Sequence, residues 1–215
     1  MNIFLVRHGA TDWNLQGRCQ GASDRELDYV GVRQAGEISV RLSAESIQAV
    51  YSSDLRRAHA TARLISEPHG LPVFTEEAIR ELDHGELEGL TFEQIKQNYG
   101  DFLKRWRSEP AEIQVPGGER LTDVAERAWS GLNRIVVRHS SADSIVVVSH
   151  NFPISGILCR IAGTHLNSYR SFHVDPCGMT QLRFDGPNEW RITHINDREY
   201  VPDPLTIANG SQTSG

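Results

Sequence analysis

"SIVVVSHNFPI", residues 144 to 154, sets an apolar run directly before a Ser-His pair and follows the pair with a proline and more apolar residues. Ile145 to Val148 are β-branched without polar alternation, which reads as a strand buried on both faces, as in a parallel sheet covered by helices. Pro is well tolerated in a first helical turn, so a helix is expected from about Pro153 to Ala162. In such βα units the strand's C-terminal end is where ligands gather. His150 stands at one of those ends.

Outward from this unit, strands and helices alternate. Residues 2 to 6 form a short apolar strand that meets Gly9, and "IQAVYSSDL" forms another ending at Ser52 and Ser53. Helical spacing of Val32, Ala35, Ile38 and Leu42 falls between them, and Leu55 to Ile65 continues as a helix. A further strand is expected over Leu71 to Thr75. "LTDVAERAWSGLNRIVVRH" carries Leu121, Val124, Ala128, Leu132 and Ile135 on one helical face, with Thr122 expected near its cap. Met179 to Phe184 and Trp190 to Ile195 alternate as strands. Between about 82 and 120, two short helical patterns and the turn-rich "EPAEIQVPGGE" read as an insertion over the sheet. The whole predicts one domain over 1–203, an α/β sandwich with a mostly parallel sheet. "TIANGSQTSG" belongs to a disordered tail over 204–215.

The chain has 215 residues, 23% of them charged, with a formal net charge of −6. That balance supplies no global basic field for nucleic acid or anionic lipid, so any anion must be gripped locally. Cys19, Cys159 and Cys177 form no CxxC pair and cannot all be paired, which suits a reducing cytoplasm. The start, "MNIFLVRHG", has too short an apolar run for a signal peptide or membrane span.

Three inferred strands end in similar chemistry. "FLVRHG" brings Arg7 and His8, "VYSSDLRRA" brings Arg57 a turn later, and "VVVSHN" brings His150. Two arginines and two histidines at one rim make a cationic pocket, and guanidinium forks match phosphate oxygens. A neutral imidazole can attack phosphorus while arginines neutralise the transferring oxygens. The departing alkoxide then needs an acid, and "IRELDHGELEG" offers Glu81, Asp83, Glu86 and Glu88.

"LVRHGATDWN", "YSSDLRRAHATA", "IRELDHGELEG" and "VVVSHNFPI" resemble, in order, the four blocks of the histidine phosphatase superfamily, in its phosphoglycerate mutase-like branch. The resemblance spans about residues 1 to 185 and implies a three-layer α/β/α sandwich. It implies His8 as the phosphorylated residue, Arg7, Arg57 and His150 as phosphate-binding catalytic partners, and Glu81 as the acid. It further suggests phosphate or substrate contacts at Asn14, Arg18, Gln20 and Gly21; the amide of Asn151, after His150, can also reach phosphate, and His84 serves either substrate recognition or a structural hydrogen bond. No cofactor or metal is called for, and no HExxH or HxH pair is present. The expected partner is a small phosphate ester, with neither nucleic acid nor membrane; a homodimer is the one assembly considered.

Within the superfamily, the short stretch between Gly89 and Leu121 is closer to the small phosphatases than to the mutases. "ELDHG", "FLKRWRSEP" and "GGERL" are most similar to the metal-independent phosphoserine phosphatase type. Phosphoglycerate mutase, α-ribazole phosphatase, sugar-phosphate phosphatase and a non-catalytic phosphate-ester sensor are the alternatives. Two features depart from the pattern: Asn151 and Phe152 replace a common Gly-Gly, and "DPCG" (175–178) replaces an Asn-x-Ser/Thr-like pattern. Arg56, Glu86 and Glu88 are expected to face solvent, Asp83 to orient a neighbour, and "CGMTQLR" to match the C-x5-R phosphatase spacing by coincidence, since it alternates like a strand.

Overall fold

The computed structural model describes residues 1–186 and 189–199; the tail expected over 204–215 lies outside the described residues. Six strands form one sheet: β1 (Asn2–Arg7), β2 (Ile47–Ser52), β3 (Val73–Thr75), β4 (Ser144–Ser149), β5 (Met179–Gly186) and β6 (Glu189–Asp197). Their order is β3-β2-β4-β1-β5-β6. The β2/β3, β2/β4 and β1/β4 pairings are parallel and the last two antiparallel, so the mostly parallel sheet read from the sequence is present.

All six residues of β4 are buried, which accounts for a run without polar alternation. Each Val or Ile so buried contributes roughly 1.5–3 kcal/mol of transfer free energy. One face of the sheet packs through Phe4, Val6, Val146 and Val148 against Ala35 and Ile38 of α2 (Tyr29–Leu42) and Ala58, Ala62 and Ile65 of α3 (Arg56–Ser66). The other packs Ile3, Leu5, Ile145 and Val147 against Leu132 and Ile135 of α6 (Leu121–Arg138) and Ile154 and Ile157 of α7 (Asn151–Ile161). Alternate residues of one strand thus serve two helical layers, which makes the three-layer sandwich.

The insertion holds two short helices, α4 (Phe92–Asn98) and α5 (Gly100–Ser108), and α1 (Asp12–Leu15) follows β1. Leu82, Leu87, Ile95, Trp106 and Val115 pack with Leu121 and Val124 of α6 and Tyr169. The insertion therefore rides on the α6/α7 layer near the strand ends.

Local boundaries shift for physical reasons. Strand β3 begins at Val73, two residues later than expected, where its parallel pairing with Val50 of β2 begins. Helix α7 starts at Asn151, because His150 in extended conformation serves as its N-cap. Helix α6 is capped by Arg120 with no side-chain bond, which leaves Thr122 inside the first turn.

Candidate active site

The β1/β4 register pairs Arg7 with Ser149, and the His8 amide then donates to Ser149 O at 3.0 Å. His8 and His150, each one residue beyond a strand, are therefore brought together by parallel pairing alone. Their ring centroids are 5.0 Å apart and both rings are buried, at 1% and 0% exposure.

The tautomer of His8 follows from its partners. Nδ1 lies 2.7 Å from Gly9 O, which can only accept, so Nδ1 carries the proton. Nε2 is then unprotonated, and its lone pair accepts from Arg57 Nε at 3.2 Å. Burial lowers the His8 pKa well below the ordinary 6.5, and the Arg57 and Arg7 guanidinium groups lower it further. The ring is thus neutral near pH 7 and presents a nucleophilic nitrogen.

The turn beneath His8 is fastened from two helices. Gly9 N donates to Thr61 Oγ1 of α3 at 3.1 Å, and Ala10 N to Gln34 Oε1 of α2 at 2.9 Å. Cys177, at φ 52°, closes the "DPCG" turn through a Gly178 N to Asp175 O bond of 2.7 Å. Its own amide donates to the Arg7 and His8 carbonyls. The turn at "DPCG" thus braces the backbone at Arg7 and His8.

Arg57 is fully buried, and its remaining nitrogens hold a loop: Nη1 donates to Ser23 O at 2.8 Å and Nη2 to Gly21 O at 2.7 Å. Burial lowers its pKa to about 10, which leaves it charged at neutral pH. Arg7 Nη1 donates to Val174 O at 2.7 Å, while its Nε has no hydrogen-bond partner among the described residues. Neither ring nitrogen of His150 has one either. Burial lowers the His150 pKa well below 6.5, and Arg57, His8 and Arg7 add to it. Buried polar nitrogens normally find acceptors, so this rim is complementary to a ligand rich in acceptor oxygens.

Glu81 is 7% exposed and enters between the insertion and the rim. One oxygen, Oε1, accepts from Leu82 N at 2.9 Å and Phe152 N at 3.2 Å. Arg127 of α6 grips the segment that presents it, donating to the carbonyls of Ala78, Arg80 and Glu81 at 2.8, 2.6 and 2.9 Å while pairing with Glu119. Ser149 Oγ adds a bond to Ile79 O at 2.7 Å. Sequence reasoning missed Arg127, since a charged residue on an amphipathic helix carries no mark of turning toward backbone carbonyls.

The remaining expected residues divide. Gln20 is buried and accepts from Thr11 Oγ1 at 2.7 Å, and Asn14 Oδ1 accepts from Thr11 N at 3.1 Å, so both order the loop after His8. Gly21, at φ 56°, offers its carbonyl to Arg57. Arg18 donates to Gly89 O at 2.7 Å and to Gln16, which ties this loop to the insertion. Asn151 Oδ1 accepts from Val174 N at 3.2 Å. The His84 ring stands 5.2 Å from Phe152, and burial lowers its pKa against the pull of Glu81.

Glu88 corrects its solvent-facing reading. Its carboxylate is half-buried and accepts from Ala22 N at 2.6 Å, Ser23 Oγ at 2.5 Å and His84 N at 3.2 Å, clamping the loop that holds Arg57. In "GELEG" the alternate residue, Glu86, is the exposed one, and nothing in the string separates the two. Asp83 orients a neighbour as expected, accepting from Gly85 N at 2.8 Å. Arg56 is exposed and pairs with Glu26. Arg183 of the C-x5-R match lies on β5 and pairs with Asp185 at 2.8 Å, so no phosphate loop forms there.

Among the described residues, no group of three or more His, Cys, Asp or Glu side chains is disposed to hold a metal ion, and no helix is long and apolar enough to cross a membrane.

The sandwich and its paired histidines define a family, and the chain belongs to it: the model of the histidine phosphatase superfamily, branch 1, matches residues 3–198. The protein is accordingly a phosphomonoesterase acting on small phosphate esters. It is similar to phosphoserine phosphatase 1 of Hydrogenobacter thermophilus, 36% identical over 185 residues that cover 86% of this chain and 87% of that one. Among solved structures, Bacillus stearothermophilus YhfR superposes with a TM-score of 0.88 at 27% identity, covering 94% of this chain and 99% of its own. A mycobacterial glucosyl-3-phosphoglycerate phosphatase in complex with VO3 superposes with a TM-score of 0.83 at 29% identity, covering 91% and 98%.

Proposed function

We propose that the chain hydrolyses phosphoserine through a phosphohistidine on His8. The observation that carries this reading is the unprotonated Nε2 of His8, aimed among Arg57 and His150 in a buried cationic rim. Arg7, Arg57 and His150 bind the phosphate oxygens. Nε2 attacks phosphorus, the bond from phosphorus to the leaving oxygen breaks, and Glu81, as the acid, hands that oxygen its proton. The Glu81 carboxylate then takes a proton from water as the water oxygen attacks phosphorus. The P–N bond breaks, its electron pair returns to Nε2, and inorganic phosphate leaves.

The likeness to phosphoserine phosphatase 1 supports the choice of substrate. Asn14, Arg18, Gln20, Gly21, His84 and Asn151 shape the approach to the phosphate, most of them by ordering the loops that carry it. Sedimentation of the purified chain reads whether it is a homodimer.

The test is a comparison of kcat/KM for phosphoserine, 3-phosphoglycerate, glucosyl-3-phosphoglycerate, α-ribazole phosphate and fructose bisphosphates, with inorganic phosphate as the readout. Phosphoserine is expected to lead. A lead of another ester by tenfold or more contradicts the substrate, and transfer to an acceptor without phosphate release contradicts hydrolysis.

A further inference from the structure

Glu81 must reach the leaving oxygen, and its Oε1 is already held by the Phe152 amide. The alcohol attached to that oxygen therefore emerges beside Phe152. A cleft of about 450 Å3 opens there, lined by Asn151, Phe152, Tyr169, Arg170 and His173. It adjoins the phosphate rim directly: Asn151 follows His150, and Val174, next to His173, carries the carbonyl that Arg7 binds.

The walls differ chemically. Phe152 and Tyr169 stand 5.3 Å apart by ring centroids and form an aromatic side, and the Arg170 guanidinium lies 4.8 Å over the Tyr169 ring. Arg170 is exposed, its links to the Arg107 and Trp106 carbonyls are 3.5 Å long, and the Tyr169 hydroxyl is a further partner, so the guanidinium reaches the cleft held by weak contacts. No acidic side chain is among the residues lining the cleft. The carboxylate nearest His173, Asp175 at 3.4 Å, is shared with Asn196 at 2.9 Å and Arg198 at 3.2 Å.

We propose that this cleft is a leaving-group subsite in which Arg170 binds a carboxylate of the substrate alcohol. The inference rests on the hydrolase reading above and narrows it: the substrate class is the phosphorylated hydroxy acids, among which phosphoserine is selected for its carboxylate. A guanidinium fork matches a carboxylate in two bonds, and no carboxylate lines the cleft to compete for it or to pair with an ammonium ion. The aromatic side leaves room for hydroxy acids larger than serine.

The test compares kcat/KM for phosphoserine with that for phosphoethanolamine, which keeps the amine and lacks the carboxylate, in the wild-type enzyme and in Arg170→Gln and Arg170→Lys. The wild type is expected to favour phosphoserine over phosphoethanolamine, with 3-phosphoglycerate, which also carries a carboxylate, between the two. Arg170→Gln should cut the phosphoserine-to-phosphoethanolamine ratio by about tenfold, mainly through the KM of phosphoserine, the scale of one lost charge-assisted pair. Arg170→Lys should restore part of the ratio. An unchanged ratio in Arg170→Gln overturns the subsite while leaving hydrolysis standing. A wild type that releases phosphate from none of these esters, nor from p-nitrophenyl phosphate, overturns the hydrolase reading and the subsite with it.

Discussion

Arg57 donates through Nε to Nε2 of His8 at 3.2 Å while its other two nitrogens hold Ser23 and Gly21. One buried guanidinium thus adds to burial in keeping an imidazole neutral, meets its lone pair and fixes the adjoining loop.

This relationship sets the acid stability. His8 and His150 both have pKa values held well below 6.5 by burial and by Arg57 and neighbouring cations. In the unfolded chain each takes up a proton near its ordinary value, whereas the folded protein resists doing so. The unfolded state therefore binds more protons below about pH 6.5, and stability falls as pH drops from 7 toward 5. Urea unfolding midpoints across that range should decline for the wild type and less steeply for His8→Asn. Parallel declines would contradict the neutral pair.

Glu81→Gln keeps the acceptor that receives the Leu82 and Phe152 amides but carries no transferable proton. Turnover of phosphoserine, a poor leaving group, should fall about 10²–10⁴-fold, the usual weight of a positioned acid. p-Nitrophenyl phosphate, whose phenolate leaves readily, should lose far less. Equal losses on both esters would remove Glu81 as the proton donor.

Close backbone approach fixes helix α2 against the turn that follows His8. A Cβ on Gly31 would meet Ala10 O at 2.0 Å, and one on Gly9 would meet Gly31 O at 2.5 Å. Both contacts are with backbone that cannot rotate aside. Gly31→Ala should cost about 2–3 kcal/mol by overpacking, while Gly36→Ala, with nothing within 4 Å, should stabilise by roughly 0.5–1 kcal/mol through helix propensity. Denaturant titration of the two variants checks the contrast.

Strand ends carried most of what the sequence revealed. The β-branched run of β4 and the short apolar β1 announce buried parallel strands, and their terminal residues announce a shared rim. What stayed hidden is long-range and electrostatic. Arg127 sits one residue before a core alanine, and only the folded chain shows its fork closing on three carbonyls. Glu86 and Glu88 occupy equivalent-looking places in one loop, yet only Glu88 meets the amides of Ala22 and His84. Thr122 has the chemistry of a cap, but the chain's entry from Arg120 sets the helix start two residues earlier.

The most direct measurement is phosphoenzyme trapping with substrate carrying radiolabelled phosphate, quenched during turnover and mapped by peptide. The label should lie on His8, survive alkali and vanish in acid, and be absent from His8→Asn together with phosphate release, while that variant keeps its far-UV circular dichroism. Label on any other residue, or undiminished turnover in His8→Asn, would contradict the account.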